Sequence, residues 1–66
     1  MDSISAVAAS IRAARKEAGL TQEDLANLAE TSERTIRAIE TGTGNPSLRA
    51  VAAAADVLGL RLTVTR

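Results

Sequence analysis

The chain has 66 residues, with eight Lys and Arg, eight Asp and Glu, and neither Cys nor His. This length allows one domain, and a chain so short buries only about 60% of the surface that it exposes when unfolded. Without Cys or His, a disulfide is excluded and a structural metal or cofactor is not expected. We therefore expect a second chain to supply the missing stability. We expect no catalytic role, because the sequence has no His, no Cys, no phosphate-cradling glycine loop and no converging acid–base pair.

No apolar run is long enough to span a membrane, and no basic segment leads into an apolar run near Met1. A cytoplasmic protein without a membrane partner is the default expectation. The net charge of zero argues mildly against nucleic-acid binding, where a basic surface is usual. For nucleic-acid binding, positive charge clustered on one face matters more than the total net charge.

Helical spacing of apolar residues predicts a first helix over residues 4–18, with Ser3 as its N-cap. A second helix is predicted over residues 22–29, because Thr21 and Asp24 have the spacing of a capping box. Its apolar face consists of Leu25, Ala26, Leu28 and Ala29.

Ser32 is predicted to cap a third helix over residues 33–40. Turn-forming residues over 41–46 predict a loop, after which Ser47 caps a fourth helix over 48–58. The third helix should bury Ile36 and Ile39. The fourth helix should direct five apolar side chains inward, namely Leu48, Val51, Ala52, Ala55 and Leu58.

Residues 60–66 alternate between apolar and polar side chains, which predicts a β-strand. No other strand is predicted, so its backbone groups need a partner from another copy or another protein. The symmetric solution is an antiparallel ribbon between two chains, with an apolar face formed by Leu60, Leu62 and Val64. The expected fold is all-α, with a compact four-helix domain over residues 1–59 and a dimerisation strand over 60–66.

Two short helices joined by a tight turn, over residues 21–40, form a helix-turn-helix. Four blocks occur in order: Gly19-Leu20-Thr21-Gln22-Glu23-Asp24-Leu25-Ala26, Ser32-Glu33-Arg34-Thr35-Ile36, Ile39-Glu40-Thr41-Gly42 and Asn45-Pro46-Ser47-Leu48. These blocks closely resemble the Cro/Xre repressor family, from Ile11 to Gly59. The resemblance implies a lambda-repressor-like fold and a transcriptional regulator that binds a palindromic double-stranded DNA operator as a homodimer.

The resemblance also implies roles for individual residues. The base-reading positions of the third helix are Glu33, Arg34 and Ala38. Arg34 suits guanine, Glu33 suits the cytosine amino group, and Ala38 suits the thymine methyl. The DNA backbone is expected to be contacted by Gln22, Thr35, Arg37, Thr43 and Asn45. Arg15 and Glu40 match a buried ion pair between the first and third helices.

This chain departs from the family pattern in the turn, where Glu30 and Thr31 replace the usual Gly and aliphatic residue. Glu30 is therefore expected to adopt a positive φ at a cost of about 1 kcal/mol. Acidic side chains are also expected near the DNA side, which lowers non-specific affinity. They are Glu23, Asp24, Glu30 and Glu33.

Within the family, a four-helix domain with a terminal strand looks most like the HipB-like antitoxins, which repress their own operon and bind a cognate toxin kinase. Phage repressors and restriction–modification controller proteins are close alternatives. A different class of function also fits the sequence. The domain would then be a protein-interaction module whose terminal strand pairs with a partner, with DNA binding lost or secondary.

Overall fold

The computed structural model describes residues 2–66 and contains four α-helices. They are α1 (Ser3–Glu17), α2 (Gln22–Leu28), α3 (Glu33–Thr41) and α4 (Leu48–Val57). The predicted helices are therefore confirmed, with each boundary within one residue of its expected position. None of the helices in the described residues is long and apolar enough to cross a membrane.

The core is made of small aliphatic side chains at the centre of the four helices. Its buried members are Ile11, Leu25, Ala26, Ile36, Ile39 and Ala54. Because α3 packs against both α1 and α2, its inner face is fixed from two sides. Burying one large aliphatic side chain contributes about 1.5–3 kcal/mol. Ile36, which is 0% exposed, is thus a main contributor to the position of α3.

The helices begin with side-chain caps. The α2 capping box is confirmed, since Thr21 Oγ1 accepts from the Asp24 amide at 3.0 Å and the Asp24 carboxylate accepts from the Thr21 amide at 2.9 Å. The hydrogen bond from the Thr21 amide to the carboxylate is the main cause of the lowered pKa of Asp24. The expected N-cap at Ser3 is wrong. Asp2 caps α1 instead, with Oδ1 accepting from the Ser5 amide at 2.7 Å, and that bond lowers the pKa of Asp2.

Each helix ends in the same turn, in which an amide bonds the carbonyl five residues earlier across a residue of positive φ. In α1, α3 and α4 that residue is a glycine, which adopts the conformation without strain. In α2 it is Glu30, at φ 57°, and the Thr31 amide bonds the Ala26 carbonyl at 2.9 Å. The expectation of a positive φ at Glu30 is confirmed.

Two leucines that were expected on inner faces are exposed. Leu48 is 77% exposed because it is the first residue of α4 and projects beyond the core. Leu28 is 58% exposed, on the side of α2 away from the buried Ala26. In each case the helix is as predicted, but no neighbouring helix covers the side chain.

The expected C-terminal strand is absent from the described residues of this single chain. Residues 60–66 form no regular secondary structure, because a β-ladder needs a second strand and the described chain has none. Leu60 is half-buried and packs against the core, while Leu62 is 40% and Val64 100% exposed. The tail beyond Leu60 therefore leaves apolar surface uncovered.

Candidate nucleic-acid interface

The candidate interface is the outer face of α3. Its inner face is fixed by the buried Ile36 and Ile39, so the residues on the opposite side of the helix must point outward. Those exposed residues are Glu33, Arg34, Arg37 and Thr41. Ser32 caps the helix, with its Oγ accepting from the Thr35 amide at 3.0 Å. The structure thus presents a rigid, polar helix face of about two turns.

Two of the outer residues are paired with each other. Arg37 donates to the Glu33 carboxylate at 3.2 Å, one turn away, and both side chains are about half exposed. Such a surface pair contributes only about 0.3–0.5 kcal/mol. Arg37 can therefore leave Glu33 for a stronger acceptor. Within residues 2–66, Arg34 has no ion-pair partner, so its guanidinium is free to bind.

A buried ion pair joins α3 to α1, as the resemblance implied. Arg15 Nε donates to Glu40 Oε2 at 2.6 Å, and a second Arg15 nitrogen donates to Glu40 Oε1 at 3.0 Å. The remaining guanidinium nitrogen donates to the Leu20 carbonyl at 2.8 Å. The hydrogen bonds to Glu40 raise the pKa of Arg15, against the effect of burial. The bidentate geometry ties α1 to the end of α3.

Gln22 extends this network towards the surface. Its Nε2 donates to Glu40 Oε1 at 3.3 Å, which fixes the amide at the first turn of α2. An amide nitrogen carries two hydrogens, so one remains available for an outside acceptor. Gln22 and Glu33 line the same shallow depression between α2 and α3. The predicted backbone contact at Gln22 is therefore adjacent to the outer face of α3.

The remaining predicted DNA contacts lie elsewhere on α3 and in the loop that follows it. Thr35 is half-buried and its hydroxyl is 2.9 Å from that of Ser32. Ala38 is half-buried and lines one groove with the exposed loop residues Thr43 and Asn45. The structure thus groups three predicted residues around the C-terminal end of α3. The roles of all these residues in DNA binding stay predictions.

Thr41 is an outer-face residue that the sequence analysis did not select. Its hydroxyl donates to the Arg37 carbonyl at 2.8 Å and lies 2.7 Å from the Thr43 hydroxyl. The spacing of Arg34, Arg37 and Thr41, at i, i+3 and i+7, is the signal that would have found it. It was missed because the third helix was expected to end at residue 40.

Carboxylates border this face on the α2 side. Glu23 and Glu33 both line the depression beside Gln22, and both are exposed. A phosphate approaching there meets negative charge as well as the donors of Gln22 and Arg34. The α2 side of this face therefore attracts anions less than its donors alone would.

A comparison with protein families agrees with this geometry. The family model described as Helix-turn-helix matches residues 11–64, which is most of the chain and includes all of α2 and α3. None of the curated proteins compared with the chain matches it. The chain therefore belongs to the helix-turn-helix family of the Cro/C1 type, which indicates a DNA-binding regulator.

Proposed function

We propose that the protein is a transcriptional repressor that binds a palindromic DNA operator as a homodimer and inserts α3 into the major groove. The observation that carries this proposal is the outer face of α3. There Arg34, which has no ion-pair partner within residues 2–66, lies beside Arg37, whose exposed pair with Glu33 is weak. The buried Ile36 and the Arg15–Glu40 pair hold this face rigidly. Rigid presentation limits the entropy that is lost on binding.

The side chains of α3 suit particular base edges. Arg34 can donate two hydrogen bonds to O6 and N7 of guanine, and Glu33 can accept from the cytosine amino group. Arg37 would leave Glu33 for a phosphate oxygen, since their exposed pair is weak. The donors at Gln22 and in the loop at Thr43 would fix the register on the DNA backbone.

A homodimer follows from the exposed tail and from the small size of the domain. In the proposed ribbon, the tails of two chains pair in antiparallel fashion and cover Leu62 and Val64, which the single chain leaves exposed. Each subunit would then place its α3 in one of two successive major grooves, about 34 Å apart. Operator half-sites separated by about one helical turn are the expected consequence.

The test is fluorescence anisotropy on a duplex selected from random DNA by the native protein, measured over a salt series beside a random duplex. Arg34→Ala is compared with Arg12→Ala, which removes the same charge from an exposed position on α1, outside α3 and the tail. We expect Arg34→Ala to lose about 1–3 kcal/mol of discrimination between the two duplexes, and Arg12→Ala to keep it. Equal affinity of the native protein for both duplexes at physiological salt would refute the proposal.

The finer proposal is that the protein is the antitoxin of a toxin–antitoxin pair and acts on its own operon in the cytoplasm. The four helices followed by a segment with exposed apolar side chains support this subtype. Its partner would be a toxin kinase encoded by the adjacent reading frame. Co-expression of the two proteins should give a stable complex on size-exclusion chromatography. A neighbouring methylase, endonuclease or phage gene would favour a controller protein or a phage repressor instead.

A second candidate function is a protein-interaction module. The zero net charge and the carboxylates of Glu23 and Glu33 beside the α3 face favour it. In this case the tail completes the sheet of another protein. The anisotropy experiment separates the two candidates, because an interaction module would bind selected and random duplexes alike.

A further inference from the structure

The outward face of α4 carries two opposite charges without an ion-pair partner in the described chain. Arg49 and Asp56 are both exposed. The ion pairs within residues 2–66 are instead Arg15–Glu40 and Arg37–Glu33. Being seven residues apart, Arg49 and Asp56 lie on one side of the helix and about 10 Å apart along its axis. That separation is too long for an ion pair within α4.

The spacing of these charges is self-complementary. A two-fold axis perpendicular to α4 and passing between Ala52 and Ala53 places Arg49 of each chain opposite Asp56 of the other. Such an isologous contact forms both ion pairs at once. Ala52 and Ala53, at the centre, are small enough to let two helices approach to about 8–10 Å. Both alanines are half-exposed rather than buried in the single chain.

Apolar surface borders the charged ridge on both sides. One depression is lined by Leu28, Ala53 and Val57 together with Arg49 and Asp56. The depression on the other side is lined by Ala52, Asp56, Leu60 and Leu62. A second copy packed on α4 would cover apolar side chains that the single chain leaves open, including Leu28, which is 58% exposed.

We propose that the outer face of α4 binds the same face of a second copy of this chain, antiparallel, through reciprocal Arg49–Asp56 pairs. This inference rests on the homodimer of the proposed function and adds a helical interface to it. The two interfaces are adjacent, because Leu60 and Leu62 of the tail line the same depression as Ala52. In the proposed dimer, both interfaces lie about the same two-fold axis.

The test is a charge swap in the full chain, measured by sedimentation equilibrium over a concentration series. Arg49→Glu and Asp56→Arg should each weaken the dimer about tenfold or more, because two attractive pairs become two repulsive ones. The double variant R49E/D56R should restore self-association. Mixing the two single variants should give a heterodimer tighter than either homodimer, since both of its pairs are again attractive.

The control is Arg12→Glu, which reverses an exposed charge on α1 and should leave the dimer unchanged. Circular dichroism checks folding, and Arg49→Ala and Asp56→Ala serve as milder variants, expected to weaken the dimer less. A native dimer that the swaps do not affect overturns the α4 interface but leaves the proposed homodimer intact. Weakening without rescue in the double variant also overturns it, since Arg49 would then pair with another acid such as Glu30. A native chain that stays monomeric at every concentration overturns both.

Discussion

Replacing Glu40 by Gln is expected to destabilise the fold strongly, although the new side chain has nearly the same volume. The side chain of Glu40 is 1% exposed and that of Arg15 is 11% exposed. Gln keeps one acceptor but turns an N–H towards the guanidinium, so the charge of Arg15 is left uncompensated. Breaking a buried ion pair costs about 3–5 kcal/mol. We expect about 3 kcal/mol here, because Gln retains one hydrogen bond.

That loss is large relative to the free energy of unfolding of the whole domain, which should be about 3–10 kcal/mol at this length. Urea denaturation followed by circular dichroism at 222 nm measures it, at one fixed protein concentration because dimerisation stabilises the folded state. Glu33→Gln is the matched control. It makes the same change in the exposed pair with Arg37 and should cost no more than about 0.5 kcal/mol.

The double variant R15M/E40M separates a buried charge from lost packing. Apolar side chains in place of both partners should be destabilising by only about 1–2 kcal/mol, mainly because the Leu20 carbonyl and Gln22 lose their partners. The double variant should therefore be more stable than Glu40→Gln. A Glu40→Gln variant within 1 kcal/mol of the native protein, or a double variant less stable than Glu40→Gln, would refute this reasoning.

Three further predictions follow from local geometry. Glu30→Gly should raise the free energy of unfolding by about 0.5–1 kcal/mol by relieving the positive φ, whereas Glu30→Ala should give no gain. Because folding lowers the pKa of Asp24 below its ordinary value of 3.8, its stabilising effect is complete above that pH and is lost as the pH falls through the lower, folded value. Acid titration of unfolding should show a smaller loss below about pH 4 in Asp24→Asn, and an unchanged profile would contradict this. Glu33→Gln should free Arg37, strengthen binding to random DNA and steepen its dependence on log salt by about one unit; an unchanged slope in anisotropy would argue against the release of Arg37.

The helices could be predicted from the sequence because their signals are local. Side-chain caps at Thr21, Ser32 and Ser47 start three helices, and the structure contains all three caps. Asp2 was missed as a cap because Asp and Ser are about equally favoured at this position, so neighbouring residues do not decide between Asp2 and Ser3. The exposure of Leu28 could not be predicted, since helical period identifies an apolar face but not what covers it.

Only the part of the candidate site that depends on local sequence signals could be predicted from the sequence alone. Arg15 and Glu40 are 25 residues apart, and only the family resemblance brought them together before the structure did. The Glu33–Arg37 pair has i, i+4 spacing and could have been found from the sequence alone. The tail could not be predicted in the same way as the helices. Its alternation of apolar and polar residues predicts a strand, but a strand needs a partner strand, which one chain does not supply.

The most direct measurement is an NMR titration of the ¹⁵N-labelled protein with the selected operator duplex and with a random duplex. We predict that the amides of residues 33–41 and of Gln22 shift most with the operator, and much less with the random duplex, while those of α4 change little. Shifts confined to the tail, or equal shifts with both duplexes, would contradict sequence-specific binding through α3.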